Sequence, residues 1–356
     1  MTVAFRPVPG APSTAWREVM LEGEPGIFEE FAAEIADFQR QDAKTTADGK
    51  PLRGFHAKIH TGVMAEFEVL PDLPAHARYG AFAEPRVFPA VVRFSNGEST
   101  IYPDTHKEPR GIAIKLIGVP GRKLLQGRED AVTQDFLATS HSVTSTVRDV
   151  IQFMKIVRAH RHSKKLVMAF QMVRTLGWHE AWRILKILHR DVDQSDVRSM
   201  ATEEYSGTAP IKFGPYAVKF LVKAAGTTAP TIERPERKAD FLREELTERL
   251  RSEDLVMDFK VQFYADDAST PIEDTSVLWR TDPLTVARLR IPRVDLDDEP
   301  SRKLSRKVDA LSFSPWHALE DHRPLGNIMR ARRVAYETSS KLRKVRSEPT
   351  GVPLPD

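Results

Sequence analysis

The sequence predicts an α+β protein whose antiparallel strands close into a barrel carrying helical insertions and a C-terminal helix. Three observations predict it. Segments of period-two alternation fall in two blocks, about 52–120 and 216–292, broken by Pro, Gly and Asp turns. Segments with apolar residues at helical spacing lie between those blocks and beside them. No internal repeat divides the 356 residues, which are enough for a large core.

In chain order, residues 1 to about 15 are rich in Pro and Gly and read as an arm. "EEFAAEIADFQRQDAK" (29–44) spaces its apolar residues as a helix does. "AEFEVL" (65–70), "AVVRFS" (90–95) and "GIAIKLIGV" (111–119) read as strands. "DVIQFMKIVRAH" (149–160) and "LVMAFQMVRTLGWHEAWRILKILHR" (166–190) read as two helices joined by the basic linker "RHSKK". Strands return at 216–225, 257–265 and 284–292, with an amphipathic helix at 237–252 between them. A loop follows residue 300 and includes "FSPWHALEDHRPLG" (313–326); a basic helix then spans 329–344. The last residues, 347–356, read as a disordered tail.

Composition excludes some chemistry. The chain has no cysteine, so disulfides, thiolate metal sites and cysteine nucleophiles are ruled out. Fifty-three basic against fifty acidic residues make a mixed surface that does not call for nucleic acid. No stretch has the length of a signal peptide's apolar core or of a membrane span, so a soluble, cytoplasmic protein is expected.

Four segments could carry chemistry. In "LRGFHAKIHTGVMAEFEV" (52–69) an extended backbone puts His56, Lys58 and His60 on one face; the plain reading is a polar strand face. In "VVRFSNGESTIYPDTHKEPRGIAIKLIG" (91–118) Arg93 and Ser95 share one side of a strand, followed by a polar turn; alone this is a hairpin with an ion-paired loop. The stretch 148–190 interleaves basic residues with Phe, Met and Trp, as surface helices with solvated cationic faces do, or a nucleic-acid or membrane-surface helix.

The fourth is "MRARRVAYETSSKLRK" (329–344), where Tyr336 stands alone among basic residues with Glu337 as its one neighbouring carboxylate. At about 100° per residue, Arg332 lies roughly 40° to one side of Tyr336, and Arg343 roughly 20° off on the same side. A free phenol ionises only near pH 10, so a tyrosinate ligand needs a cation and a hydrogen-bond donor. Among cofactors held by one tyrosinate, the haem of catalases stands out.

At this point the sequence resembles the catalase superfamily, and within it the short, single-domain branch of catalase-related haem proteins. The resemblance runs from about residue 50 to 345 through five motifs in family order: "RGFHAK", "VVRFSNGESTIYPDTHKEPRGIAIKL", "TVRDVIQF", "FSPWHALEDHRPLG" and "RRVAYETSSKLR". It implies a haem domain over 49–346, comprising the barrel, a helical insert at about 140–205 and a proximal helix at about 326–346. Residues 1–48 would form an N-terminal arm and helix, and 347–356 the tail.

The resemblance implies haem b (iron) as cofactor. Tyr336 would ligate the iron and Arg332 would hydrogen-bond the phenolate. His56 would be the distal acid and base, oriented by Ser95. Arg53, Arg93 and Arg343 would meet the haem propionates, and Phe153 would stack on the macrocycle. Ser140 aligns with the family's distal asparagine, with His141 and Ser142 beside it; Thr144 and Ser145 replace an apolar pair, and Phe55 stands where large catalases carry valine. These departures point toward a peroxidase acting on organic hydroperoxides or hydrogen peroxide with a small-molecule electron donor. Fatty-acid hydroperoxide rearrangement of the allene oxide synthase type and haem binding without catalysis are the alternatives. Family analogy implies a homo-oligomer, a dimer or larger, with the arm and helix 29–44 packing across subunits.

Overall fold

The computed structural model describes residues 12–44, 49–140, 147–160, 165–189, 196–226 and 238–345. Nine strands form one antiparallel sheet: β1 (Ile59–Val69), β2 (Val87–Asn96), β3 (Arg110–Ile117), β4 (Thr133–Thr139), β5 (Tyr205–Ser206), β6 (Ile211–Phe213), β7 (Tyr216–Ala224), β8 (Leu255–Phe263) and β9 (Leu284–Ile291). Their order is β5-β4-β3-β2-β1-β9-β8-β7-β6, and β5 also pairs with β7. That extra pairing closes eight strands into a barrel and leaves β6 as a short addition beside β5 on the same edge of β7. Closure removes the free edges that an open sheet would expose.

An eight-stranded barrel is narrow enough for side chains to fill. Here Phe67, Phe82, Phe136, Phe213, Phe220 and Phe259 fill it, with Phe136 and Phe259 centroids 4.9 Å apart. Each buried phenylalanine contributes about 1.5–3 kcal/mol of transfer free energy. The interior is therefore a packed core, and a site must lie outside it.

Strand alternation shows where. In β2, Phe88, Ala90, Val92 and Phe94 point inward. Val91, Arg93 and Ser95 take the outer face, yet all three are buried, because other elements cover that face. Among them is α6 (Glu299–Asp309), whose Val308 packs with Val91 and Phe313. α7 (Asn327–Leu342) lies against α1 (Glu24–Ala43) and α2 (Val150–His160) through Ala331, Ala335, Phe28, Phe31, Ala32, Ile35, Val150 and Met154. The helix expected to pack across subunits thus buries its apolar face within its own chain.

Several expectations need correction. The segment after 300 is not only a loop: α6 occupies 299–309, capped by the Asp298 side chain, which accepts from the Ser301 amide. Only Ser301 and Val308 of this helix are buried, so its apolar stripe is too thin to read from periodicity. The single helix expected over 166–190 is two, α3 (Lys165–Leu176) and α4 (Trp178–Leu188), broken at Gly177, whose φ is 81°. Strands β4, β5 and β6 were not expected. β4 carries Gln134 and Asp135 within "TQDFLAT", which masks its pattern, and β5 and β6 have two and three residues. Residues 1–11 of the arm and the tail 347–356 lie outside the described residues.

Candidate active site

His56 precedes β1 with φ at 58°, the left-handed region, costly for a residue with a Cβ. The backbone turn breaks the expected alternation. His56 does not share a strand face with Lys58 and His60, because β1 starts only at Ile59 and a register shift follows between Ile59 and Thr61.

The strain is held from several sides. The His56 amide donates to Gly97 O at 2.9 Å, and Arg93 Nη2 donates to the His56 carbonyl at 2.9 Å. The ring Nδ1 lies 3.0 Å from Asn96 O and 3.2 Å from Ser95 Oγ. A backbone carbonyl only accepts, so Nδ1 carries the proton and Nε2 presents its lone pair. Burial, then the charges of Arg93 and Arg332, push the imidazole pKa down to about 3. His56 is therefore a neutral base with a fixed tautomer.

A buried polar network backs this corner. Asn96 and Arg110 continue the inward rows of β2 and β3, so they cap one end of the barrel interior. Asn96 Oδ1 accepts from His60 Nε2 at 2.7 Å and from Arg110 Nη1 at 2.6 Å. Lys58 Nζ donates to Asp104 Oδ1 at 2.7 Å, and Asp104 Oδ2 accepts the Leu242 amide at the start of α5 (Phe241–Ser252). Burial holds the His60 imidazole down at about 4.

Tyr336 sits half-buried on α7. Arg332, one turn earlier, donates from Nη2 to the Tyr336 hydroxyl at 2.8 Å. A guanidinium has no acceptor, so the phenol oxygen is the acceptor here. The Arg332 guanidinium also reaches Met329 Sδ, at 3.5 Å. The start of α7 is pinned: Gly326 has φ at 83°, and a Cβ there would meet Ile272 O at 2.7 Å. Arg330 is gripped by Glu18, Glu24 and Glu273, and Asn327 Oδ1 accepts the Val150 amide at the head of α2. At the other end Gln39 of α1 donates to Ser339 Oγ at 3.0 Å and to Leu52 O. α1 thus ties the Tyr336 helix to the segment before His56.

Arg53, Arg93 and Arg343 form a cationic cluster. Arg93 Nε donates to Asp309 Oδ1 at 3.0 Å, and Arg53 Nη2 donates to the carbonyls of Asp309 (2.5 Å) and Leu311 (3.0 Å). These carbonyls end α6, where the helix dipole favours cations. Arg343 Nε is buried and has no hydrogen-bond partner among the described residues. Burial, then the nearby Arg93 charge, lowers the Arg343 pKa to about 10. Burial, then Arg93 and Arg343, lowers that of Arg53 as well, opposed by Asp309 and Tyr336. Arg53 and Arg93 share the carboxylate of Asp309 and Arg343 adds a third cation nearby, an excess of about two positive charges.

The structure thus brings His56, Ser95, Arg53 and Arg93 into direct hydrogen-bonded or electrostatic contact, and Arg332 and Arg343 act on the same groups. Phe153 of α2 is half-buried, with its ring centroid 5.8 Å from Phe55 and 5.6 Å from Phe31. Ser140 Oγ accepts the Arg110 amide at 2.9 Å, and its own amide donates to Arg110 O. His141, Ser142, Thr144 and Ser145 lie outside the described residues. Sequence reading missed Asp309, hidden in the unrecognised α6. It also missed Asn96, whose role rests on its carbonyl, an atom every residue has.

The described residues fit haem b. Arg343 Nε lacks a partner that a propionate would supply, and the excess of two cations matches two propionates. No group of three or more His, Asp or Glu among the described residues is placed to hold a bare metal ion. Tyr336 would hold the haem iron, and Arg53, Arg93 and Arg343 would hold the haem carboxylates.

The fold has known counterparts. The chain is similar to a bacterial catalase at TM-score 0.61 and 15% identity, covering 95% of this chain and 64% of that one. It is similar to a fungal catalase at 0.62 and 14%, covering 96% and 66%, and to catalase A from Saccharomyces cerevisiae at 0.61 and 13%, covering 94% and 68%. The fold is that of catalases, a closed antiparallel barrel with helices, and this chain spans 64% of the length of the bacterial one. No protein-family profile and no curated protein sequence matches the chain.

Proposed function

We propose that this chain is a haem-dependent, catalase-like peroxidase that reduces hydrogen peroxide or organic hydroperoxides with a small-molecule electron donor. The observation that carries it is the pairing of a neutral, tautomer-fixed His56 with the Arg332–Tyr336 pair, beside three arginines of which two share the Asp309 carboxylate. When bound, haem b supplies redox-active iron.

The chain's own residues supply the rest. Tyr336 would hold the iron through its oxygen, and Arg332 would take part of the charge on that oxygen, tempering its donation. Arg53, Arg93 and Arg343 orient the cofactor through its carboxylates. His56 Nε2 takes the proton of the incoming hydroperoxide and returns it to the departing oxygen, while Nδ1–H stays on Asn96 O. Ser95 Oγ limits ring rotation.

Titration of the purified chain with haem, followed by peroxide and a phenolic donor, tests the proposal. A one-to-one Soret band and donor oxidation that falls about 10²–10⁴-fold in His56→Ala are expected. Haem saturation with no turnover of any peroxide would overturn it. Donor-independent conversion of a lipid hydroperoxide would instead establish rearrangement.

A further inference from the structure

A second feature, away from the His56–Tyr336 site, is the outer face of α3 and α4. The two helices and α2 share a small core of Ala159, Met172, Ala181 and Ile184. That core uses one side of each helix and leaves large apolar groups on the other. Phe170 and Trp178 are each 64% exposed, Trp182 is 61% exposed and Val167 is 38% exposed. Trp178 and Trp182 stand one turn apart with ring centroids at 6.2 Å and planes within 13°, and exposed Lys186 continues the same stripe. On α3, Val167, Phe170 and Arg174 line another exposed stripe.

Charge is concentrated in this insert. Residues 148–190 contain ten Lys and Arg against two Asp and Glu, while the remainder of the chain is net acidic. Arg158 is neutralised by Glu30 and Glu34. Lys155, Arg174 and Lys186 have no ion pair among the described residues. Tryptophan and phenylalanine interleaved with unpaired cations on short amphipathic helices form a surface for the headgroup boundary of a bilayer. No described helix is long and apolar enough to cross a membrane, so any binding through this face is peripheral.

We propose that the α3–α4 face docks the protein on anionic lipid bilayers, with Phe170, Trp178 and Trp182 entering the interface and Arg174 and Lys186 meeting lipid phosphates. A second copy of this chain fits less well. A two-fold interface sets a patch against itself, and here that would oppose like charges. Nucleic acid fits less well because the two indoles stack on each other and Val167 and Phe170 add apolar surface without a base-pairing edge.

The test is co-sedimentation of the full chain with vesicles of phosphatidylcholine alone or with about 30% phosphatidylserine, at low and physiological salt. Binding to the anionic vesicles, a blue shift of tryptophan emission and weakening by salt are expected. The double variant Trp178→Ser/Trp182→Ser should bind at least about tenfold more weakly, and Lys186→Glu should weaken binding while leaving both indoles in place. Unchanged thermal unfolding of each variant checks that the fold is kept. Absence of binding to anionic vesicles at low salt overturns the proposal, as does equal binding by the double variant. Loss of a dimer in that variant, or tighter binding of single-stranded nucleic acid than of vesicles, also overturns it.

Discussion

The imidazole of His56 lies directly on Gly111: a Cβ built at Gly111 would sit 2.4 Å from His56 Nδ1 and 2.9 Å from Ser95 Oγ. The absent side chain on the outer face of β3 is what gives the ring its place. Gly111→Ala should displace the ring by roughly an ångström, enough to cost about 10²-fold in peroxide turnover. Haem binding, held by α7 and the arginines, should be retained. Steady-state turnover beside a haem titration checks this; wild-type turnover in Gly111→Ala would show that the ring position is not limiting.

Tyr336→Phe removes one oxygen and leaves the α7 packing intact, because Ala331 and Ala335 supply the buried contacts. Haem should be lost on gel filtration, or its Soret band should shift strongly. Arg332→Met should keep haem bound and alter the band through the changed charge on the phenol oxygen. A parental spectrum in Tyr336→Phe would remove the ligand assignment.

Arg343→Leu separates stability from cofactor affinity. Its buried Nε has no partner among the described residues, so replacing it should stabilise the haem-free chain by about 1 kcal/mol. The same change should weaken haem binding about tenfold by removing a carboxylate partner. Urea unfolding of the haem-free form and a haem titration read the two effects; equal loss in both would indicate a structural arginine.

Acid should destabilise the fold early. Burial depresses the imidazoles of His56 to about 3, and of His60 and His322 to about 4, from 6.5. His322 Nε2 accepts the Ala81 amide and must stay unprotonated to do so. As pH falls below 6.5 the unfolded chain binds three protons that the folded chain refuses, so stability falls. Glu203, raised by burial to about 7, opposes this as one group down to about 4.5. The net slope is at most about 3 kcal/mol per pH unit there, and it shrinks below about pH 4 as the folded imidazoles take up their protons. Urea midpoints at pH 7, 5.5 and 4.5 should drop in order; a constant midpoint would refute the assignment. Folded protein should show no acid limb from His56 between pH 5 and 7, since that ring stays neutral.

Much of this molecule was legible in its residues. The long strands show because Val92 and Phe94 alternate with Val91, Arg93 and Ser95, and inward packing imposes period two on any half-buried strand. Arg332 and Tyr336 show because a helix fixes their relative angle locally, and the 2.8 Å hydrogen bond follows from that spacing. α6 did not show, since a helix with two buried residues leaves almost no periodic trace. With it Asp309 was missed, the shared carboxylate of Arg53 and Arg93. The hydrogen bonds of Ser140 to Arg110 were equally hidden, because they depend on the pairing of β3 with β4.

By itself, the sequence determined the local geometry: which segments alternate, which coil, and which cations share a stripe with one tyrosine. Only the tertiary structure decided how the barrel closes through β5 and β7, which strand face is covered, and that His56 adopts a left-handed backbone with its ring on Gly111. The reason is physical. Periodicity records which side of an element is buried, whereas a site is made by atoms from elements far apart in the chain, and their meeting depends on the packing of the whole.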